Sequence, residues 1–226
     1  MGAPCGAPRG GSEGALRLRP AIRHPISLEV EPRGSIRIAA IGGSVRPGNY
    51  TMKALRIVVQ ELRARQDVSV DLIDPAELDL SPPGLDGKHV ATRELQERVR
   101  AATGVVLATP EYHGSFSSVI KLVIENLGFP SALAGKAVAL LGVAQGRIGA
   151  IKSLESLAGV CLHVGAIVLP GSVSVARVHT AFDEQGRPTD PSVERQLRGL
   201  AAGLLDYIRG AVCPRLALEA MVRARE

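Results

Sequence analysis

A doubly wound α/β domain, one parallel sheet between two layers of helices, is the fold class that this sequence predicts. Three observations predict it. Apolar runs of strand length, such as GVVLAT (104–109) and KAVALLGVA (136–144), lack polar alternation, as strands buried on both faces do. Segments of helical period separate these runs, giving a strand–helix–strand order. Glycine-bearing loops such as IGGSVRPGNYT (41–51) and AQGRIGA (144–150) leave the strands, where the backbone needs conformational freedom.

Each element follows in order. SIRIAAI (35–41) reads as the first strand. The stretch 51–66 places Met52, Leu55, Val58, Val59 and Leu62 on one helical face. VSVDLID (68–74) alternates as a strand, and 93–102 is a polar helix. The run 104–109 is the third strand. Residues 117–127 form a helix with Val119, Ile120, Val123, Ile124 and Leu127 on one side. That surface is wider than one sheet face needs, so it is expected to serve as a subunit interface. The fourth strand is 136–144, followed by a helix over 151–163, a last strand GAIVLPG (165–171) and a closing helix over 193–209. Five strands in this order predict a five-stranded, flavodoxin-like sheet with helices on both faces.

Residues 1–34 hold five Arg, three acids and many Gly and Pro, with no sustained period. They are expected to form a disordered N-terminal extension. The folded domain is expected over 35–210, and a C-terminal tail over 211–226.

Composition narrows the function classes. The net charge of +5 is spread along the 226 residues rather than gathered in a basic stripe, which argues against a nucleic-acid partner. Aromatic residues make up only 3%, with no Trp, which argues against single-strand binding on stacked aromatic platforms. No apolar run reaches membrane-spanning length. The three cysteines, Cys5, Cys161 and Cys213, have neither metal spacing nor even number, and fit a reducing cytoplasm.

In doubly wound sheets, ligands sit beyond the carboxyl ends of the strands. The loops 42–50, 110–116 and 144–150 are therefore the candidate site. The first precedes a helix and offers backbone N–H groups, the hydroxyls of Ser44 and Thr51, the amide of Asn49 and the charge of Arg46. Gly43 and Gly48 have P-loop spacing, but Asn49 and Tyr50 stand where Lys and Ser/Thr are required. GGSVRPG does not match the dinucleotide G-x-G-x-x-G either. Two readings stay open: a seat for a terminal phosphate monoester, as in a mononucleotide flavin, or a plain strand–helix turn capped by Thr51. In TPEYHGSF (109–116), Pro110 stiffens the strand exit, Gly114 permits close backbone approach, and Tyr112 and His113 offer flat faces. That loop either meets a flat ring or is a tight turn with a solvent-facing Tyr. The third loop sets Gly146 and Gly149 around Arg147.

GGSVRPGNYT resembles the G-S-x-R-x-x-S-x-N loop of the NADPH-dependent FMN reductase family, and PEYHGSFSSVIK resembles that family's P-E-Y-N-G-S-x-P-G-x-L-K. GVAQGRIGAIKSLESLAGVCLHVGAIVLP is similar to its glycine loop, helix and following strand. The resemblance runs over about 36–209. The family includes flavin, quinone and chromate reductases, azoreductases and an arsenic-resistance branch. The resemblance implies bound FMN, NADPH or NADH as donor, and a homodimer or homotetramer. It assigns Ser44, Arg46 and Asn49 to the FMN phosphate, with Asn49 in place of the usual Ser and Thr51 in place of the usual Asn. Tyr50 belongs to the same cofactor loop. Pro110, Glu111, Tyr112, His113 and Gly114 would line the flavin ring, His113 replacing the usual Asn. Ser117 and Ser118 replace the usual Pro and Gly, and Lys121 matches the motif's Lys. Gly146, Arg147 and Gly149 would follow the ring's other edge.

The expected activity is hydride transfer from a nicotinamide to flavin, then electron transfer to a small acceptor: a flavin, quinone, azo compound or metal oxyanion. The cofactor carries that chemistry, so no catalytic side chain and no metal are assigned. The alternative is a flavodoxin-type electron carrier that binds no nicotinamide. A basic chain poor in aromatics favours the enzyme. Arg147 or Arg177 can meet a 2′-phosphate, though neither lies in a diagnostic motif.

Overall fold

A computed structural model describes residues 36–85 and 89–224; the extension expected over 1–34 lies outside the described residues. Strands β1 (Ile36–Ile41), β2 (Val68–Ile73), β3 (Gly104–Tyr112) and β5 (Ala137–Val143) pair in parallel, in the order β2-β1-β3-β5. The far edge beyond β5 is made by β6 (Ile167–Val168) and β7 (Val173–Val175). This is the 2-1-3-4-5 order of a flavodoxin-like sheet, whose ligands sit where the strand order reverses, between β1 and β3.

Side chains alternate across the sheet and divide the core in two. Ile36, Ile38 and Ala40 of β1, with Val106, Ala139 and Leu141, face helices α1 (Tyr50–Arg63) and α5 (Pro191–Tyr207). Ala39, Ile41, Val105, Leu107, Val138 and Leu140 face the other layer. There α2 (His89–Ala101) supplies Leu95 and Val99, α3 (Ser118–Glu125) supplies Ile120, Val123 and Ile124, and α4 (Ile151–His163) supplies Leu157 and Cys161. Truncating any one of the fully buried leucines to Ala removes about 2–5 kcal/mol, because the cavity left behind collapses only in part.

Four expectations need correction. The last strand is not continuous over 165–171. Pro170 has no N–H to pair and Gly171 takes φ 83°, so pairing stops after Val168 and resumes at Val173–Val175 against Leu141–Val143. The third strand runs past 109 through Pro110, which pairs in register with Val143, and on to Tyr112. It then folds back as an antiparallel hairpin onto β4 (Ser115–Phe116). The apolar stripe of the 117–127 helix is not surplus surface. Ile120, Val123 and Leu127 are fully buried and Ile124 nearly so within this one chain, because Leu95, Leu107 and Leu133 cover them. Finally, the segment after 209 is helical: a π turn (Ile208–Val212) carries α5 into α6 (Cys213–Arg223), none of whose residues is buried.

Candidate flavin-binding site

The three strand-end loops meet around one cleft of about 350 Å³. Its lining includes Ser44, Arg46, Asn49, Tyr50 and Thr51 from the first loop and the start of α1, Pro110, Glu111 and Tyr112 from β3, and Ala144 and Gln145 beyond β5.

The first loop lies tight against the sheet. A Cβ on Gly43 would stand 2.5 Å from the Ala108 carbonyl oxygen, so that position needs glycine, whereas one on Gly42 would displace only the flexible Met52 thioether. Ser117 reinforces this seat. Its hydroxyl donates to the Gly43 carbonyl at 2.6 Å and accepts the Ile120 N–H at 3.1 Å, which also caps α3. The Ser117 N–H in turn donates to Thr109 Oγ1 at 3.0 Å.

The cap of α1 is Asn49, not Thr51. Asn49 Oδ1 accepts the Met52 N–H at 2.8 Å, while Nδ2 donates to the Arg46 carbonyl at 2.7 Å. Its amide is thus spent on holding the loop. Thr51, in the first turn of α1, is 1% exposed, and among the described residues its hydroxyl has no hydrogen-bond partner although the residue lines the cleft. The Ser44 hydroxyl accepts a long bond from the Arg46 N–H, 3.4 Å, and its own proton has no acceptor among the described residues. The N–H groups of Tyr50 and Thr51 lack intrahelical partners by their position in the first turn. Two hydroxyls with free protons and an open helix N-terminus line one cleft, the donor set that suits an anion. Arg46 stands over the Tyr112 ring, 5.0 Å from its centroid, and joins the first loop to the second. The Tyr50 ring stacks on Phe182 at 6.4 Å.

The hairpin after β3 turns at His113 and Gly114, both left-handed at φ 51° and 74°. Two positive φ values in a two-residue connection make a type I′ turn, the form in which Asn-Gly is favoured. Glu111 reaches across to α4, where its Oε2 accepts the Ser153 N–H at 3.1 Å. That helix has no side-chain cap of its own, so Glu111 supplies it, with its charge at the positive helix end.

Ser44, Arg46, Asn49, Tyr50, Thr51, Pro110, Glu111 and Tyr112 are therefore brought together. His113, Gly114, Gly146, Arg147 and Gly149 are not part of the cleft lining. Gly146 and Gly149 close a turn, with the Gly149 N–H on the Gly146 carbonyl at 3.3 Å. Sequence reasoning missed Gln145 and Val178, which do line the cleft. Gln145 stands beside the glycines that drew notice; Val178 carries no local signal. Among the described residues no cluster of three or more His, Cys, Asp or Glu forms a metal site, and no helix is long and apolar enough to cross a membrane.

The fold defines a flavodoxin-like protein with a cleft at the head of α1. The chain belongs to the NADPH-dependent FMN reductase family, whose pattern matches residues 36–180. It is 30% identical over 175 residues to an NAD(P)H-dependent FMN reductase of Pseudomonas aeruginosa, covering 73% of this chain and 93% of that protein. It is 35% identical over 117 residues to an NADPH azoreductase of a Bacillus species, covering 52% of this chain and 65% of that one. In fold it is similar to FerB, a flavoenzyme NAD(P)H:(acceptor) oxidoreductase of Paracoccus denitrificans, with TM-score 0.67 and 24% identity over 77% of this chain and 98% of that chain.

Proposed function

We propose that the chain is an NAD(P)H-dependent FMN oxidoreductase that reduces small acceptors such as quinones or azo compounds. The observation that carries this reading is the arrangement at the cleft: the Thr51 hydroxyl, without a hydrogen-bond partner among the described residues, beside the open N-terminus of α1. A terminal phosphate fits that donor set, because hydroxyls and N–H groups donate while the one acid in the lining, Glu111, is engaged with the Ser153 N–H. Ser44 and Thr51 would donate to the phosphate oxygens, and Arg46 would neutralise them. Asn49 would hold the loop in shape rather than touch the phosphate. Pro110–Tyr112 and Ala144–Gln145 would flank the ring. FMN, when bound, supplies the hydride-accepting and electron-donating chemistry. The chain's own residues bind, orient and limit solvent access.

We further propose a cytoplasmic homodimer. At the site's rim Val45, Tyr112, Ile148 and Ile151 are exposed apolar residues on the three strand-end loops and the start of α4. A second subunit over that rim would shield the ring. The 35–210 domain is the catalytic unit in this reading.

Purified protein titrated with FMN and then given NADPH or NADH with a quinone or azo dye tests the function. Stoichiometric FMN binding with nicotinamide oxidation supports it. FMN binding without nicotinamide oxidation would instead make the protein an electron carrier.

A further inference from the structure

Helix α6 is amphipathic, yet none of its residues is buried among the described residues. Glu219 lies 3.7 Å from both Arg215 and Arg223, so these three form one paired polar face. Most of the remaining surface is apolar: Leu216, Leu218, Met221 and Val222 are 46%, 64%, 47% and 60% exposed. A helix in a folded protein draws most of its stability from packing an apolar face, and this one packs none.

A second apolar surface lies open on α5. A groove of about 440 Å³ runs between Leu204 and Tyr207 of α5 and the Leu169–Pro170 stretch after β6. Gly199 and Gly203 also line it, and a Cβ at either would meet nothing within 4 Å. Helix α6 does not fold back onto this groove. Ile208, Val212 and Cys213 all keep right-handed helical dihedrals, so the π turn carries α6 onward from α5. Arg209 fixes where that happens. Its Nη2 donates to the two Asp67 carboxylate oxygens at 2.9 and 2.8 Å, and the Asp67 carbonyl accepts the Ile36 N–H at 2.9 Å. Helix α6 therefore leaves at the amino ends of β1 and β2, the opposite end of the sheet from the cleft.

We propose that α6 docks in the α5 groove of a second copy of this chain, antiparallel to that α5, about a two-fold axis near Ala211. The pairing is reciprocal, so two helices and two grooves cover one another. That axis sets Leu216 opposite Asp206 and Val222 opposite Leu200, which lays the apolar run of α6 along the groove. The lengths agree: at about 1.5 Å per residue, Gly199–Tyr207 spans about 12 Å and Leu216–Val222 about 9 Å. The bare glycines leave room for the Leu218 and Met221 side chains. Charge favours a protein partner over an anionic lipid surface, because both arginines of α6 already face Glu219 and leave no free basic face.

Light scattering on the full chain reads the mass of wild type, Met221→Glu and Gly203→Leu. Both positions are exposed in the single chain, and leucine suits a helix better than glycine, so both variants keep the fold. Each should halve the mass of wild type, Met221→Glu by charging the docking face and Gly203→Leu by filling the groove. FMN binding should stay as in wild type, because the cleft is at the other end. A wild type that is already monomeric overturns the proposal. So does a mass unchanged in Gly203→Leu, which leaves the groove to another occupant. Loss of FMN together with mass assigns the contact to the cleft rim and overturns it as well. Wild-type binding to phosphatidylglycerol vesicles that Met221→Glu abolishes, with no change in mass, gives α6 to a lipid surface instead. The masses decide the matter whether or not the reductase reading holds.

Discussion

The Ser117 hydroxyl donates to the Gly43 carbonyl oxygen at 2.6 Å, across 74 residues of sequence, with both groups buried. That bond joins the entrance of α3 to the loop after β1. Ser117→Ala removes it together with the α3 cap, and leaves a buried carbonyl unpaired. The expected cost is about 1–3 kcal/mol in urea unfolding, with FMN affinity weakened in parallel because the loop loses its anchor. A variant as stable and as tight for FMN as wild type would remove Ser117 from this role.

Arg46→Ala should weaken FMN binding by about 10- to 100-fold, the worth of roughly 1.5–3 kcal/mol for a hydrogen bond to a charged group. Wild-type affinity should fall as salt rises, and the variant's affinity should depend on salt less, since one cation no longer faces the phosphate. Quenching of FMN fluorescence at several ionic strengths reads both. Riboflavin, which lacks the phosphate, should bind the two proteins alike; a loss for riboflavin as large as that for FMN would assign Arg46 to the ring through Tyr112.

His113 occupies a left-handed position at φ 51°, in a type I′ turn that favours Asn. A non-glycine residue there costs roughly 1–2 kcal/mol, less for Asn. His113→Asn should therefore raise stability by about 0.5–1 kcal/mol with FMN affinity unchanged, since position 113 is outside the cleft lining. A drop in FMN affinity would show that the imidazole touches the cofactor.

What the sequence made legible follows from the range of each interaction. Strands β1, β3 and β5 were readable because Val, Ile, Leu and Ala run on without alternation. The last strand was not, because its second half pairs with Leu141–Val143 only after the break at Pro170 and Gly171. Helix α3 showed its apolar stripe plainly, but what covers Ile120 and Val123 comes from distant elements, so a core face passed for an interface. Ser44, Arg46, Thr51 and Pro110–Tyr112 were legible as runs of adjacent residues at strand ends. The Glu111 cap of α4 spans 42 residues and the Ser117–Gly43 bond spans 74, and no local pattern reports either. Asn49 and Thr51 are both good caps, and only the helix start at Tyr50 decides between them.

Cys161 gives a pH-dependent prediction. The thiol is fully buried beneath α4 against Val138 and Leu140, and burial pushes it up to about 12 from a usual value near 9. Burial penalises the thiolate, so the fold favours the protonated form. The unfolded chain releases the proton first as pH rises. The contribution of this group is therefore complete below pH 9 and is lost between 9 and about 12. Cys161→Ala costs about 1–2 kcal/mol at pH 7 through the lost packing. That difference between wild type and variant, measured by urea unfolding, should shrink steadily above pH 9. In the same protein an alkylating reagent at pH 8 should leave Cys161 unmodified until urea is added. A difference constant to pH 11, or rapid native-state alkylation at this position, would show that the thiol is neither sealed nor shifted.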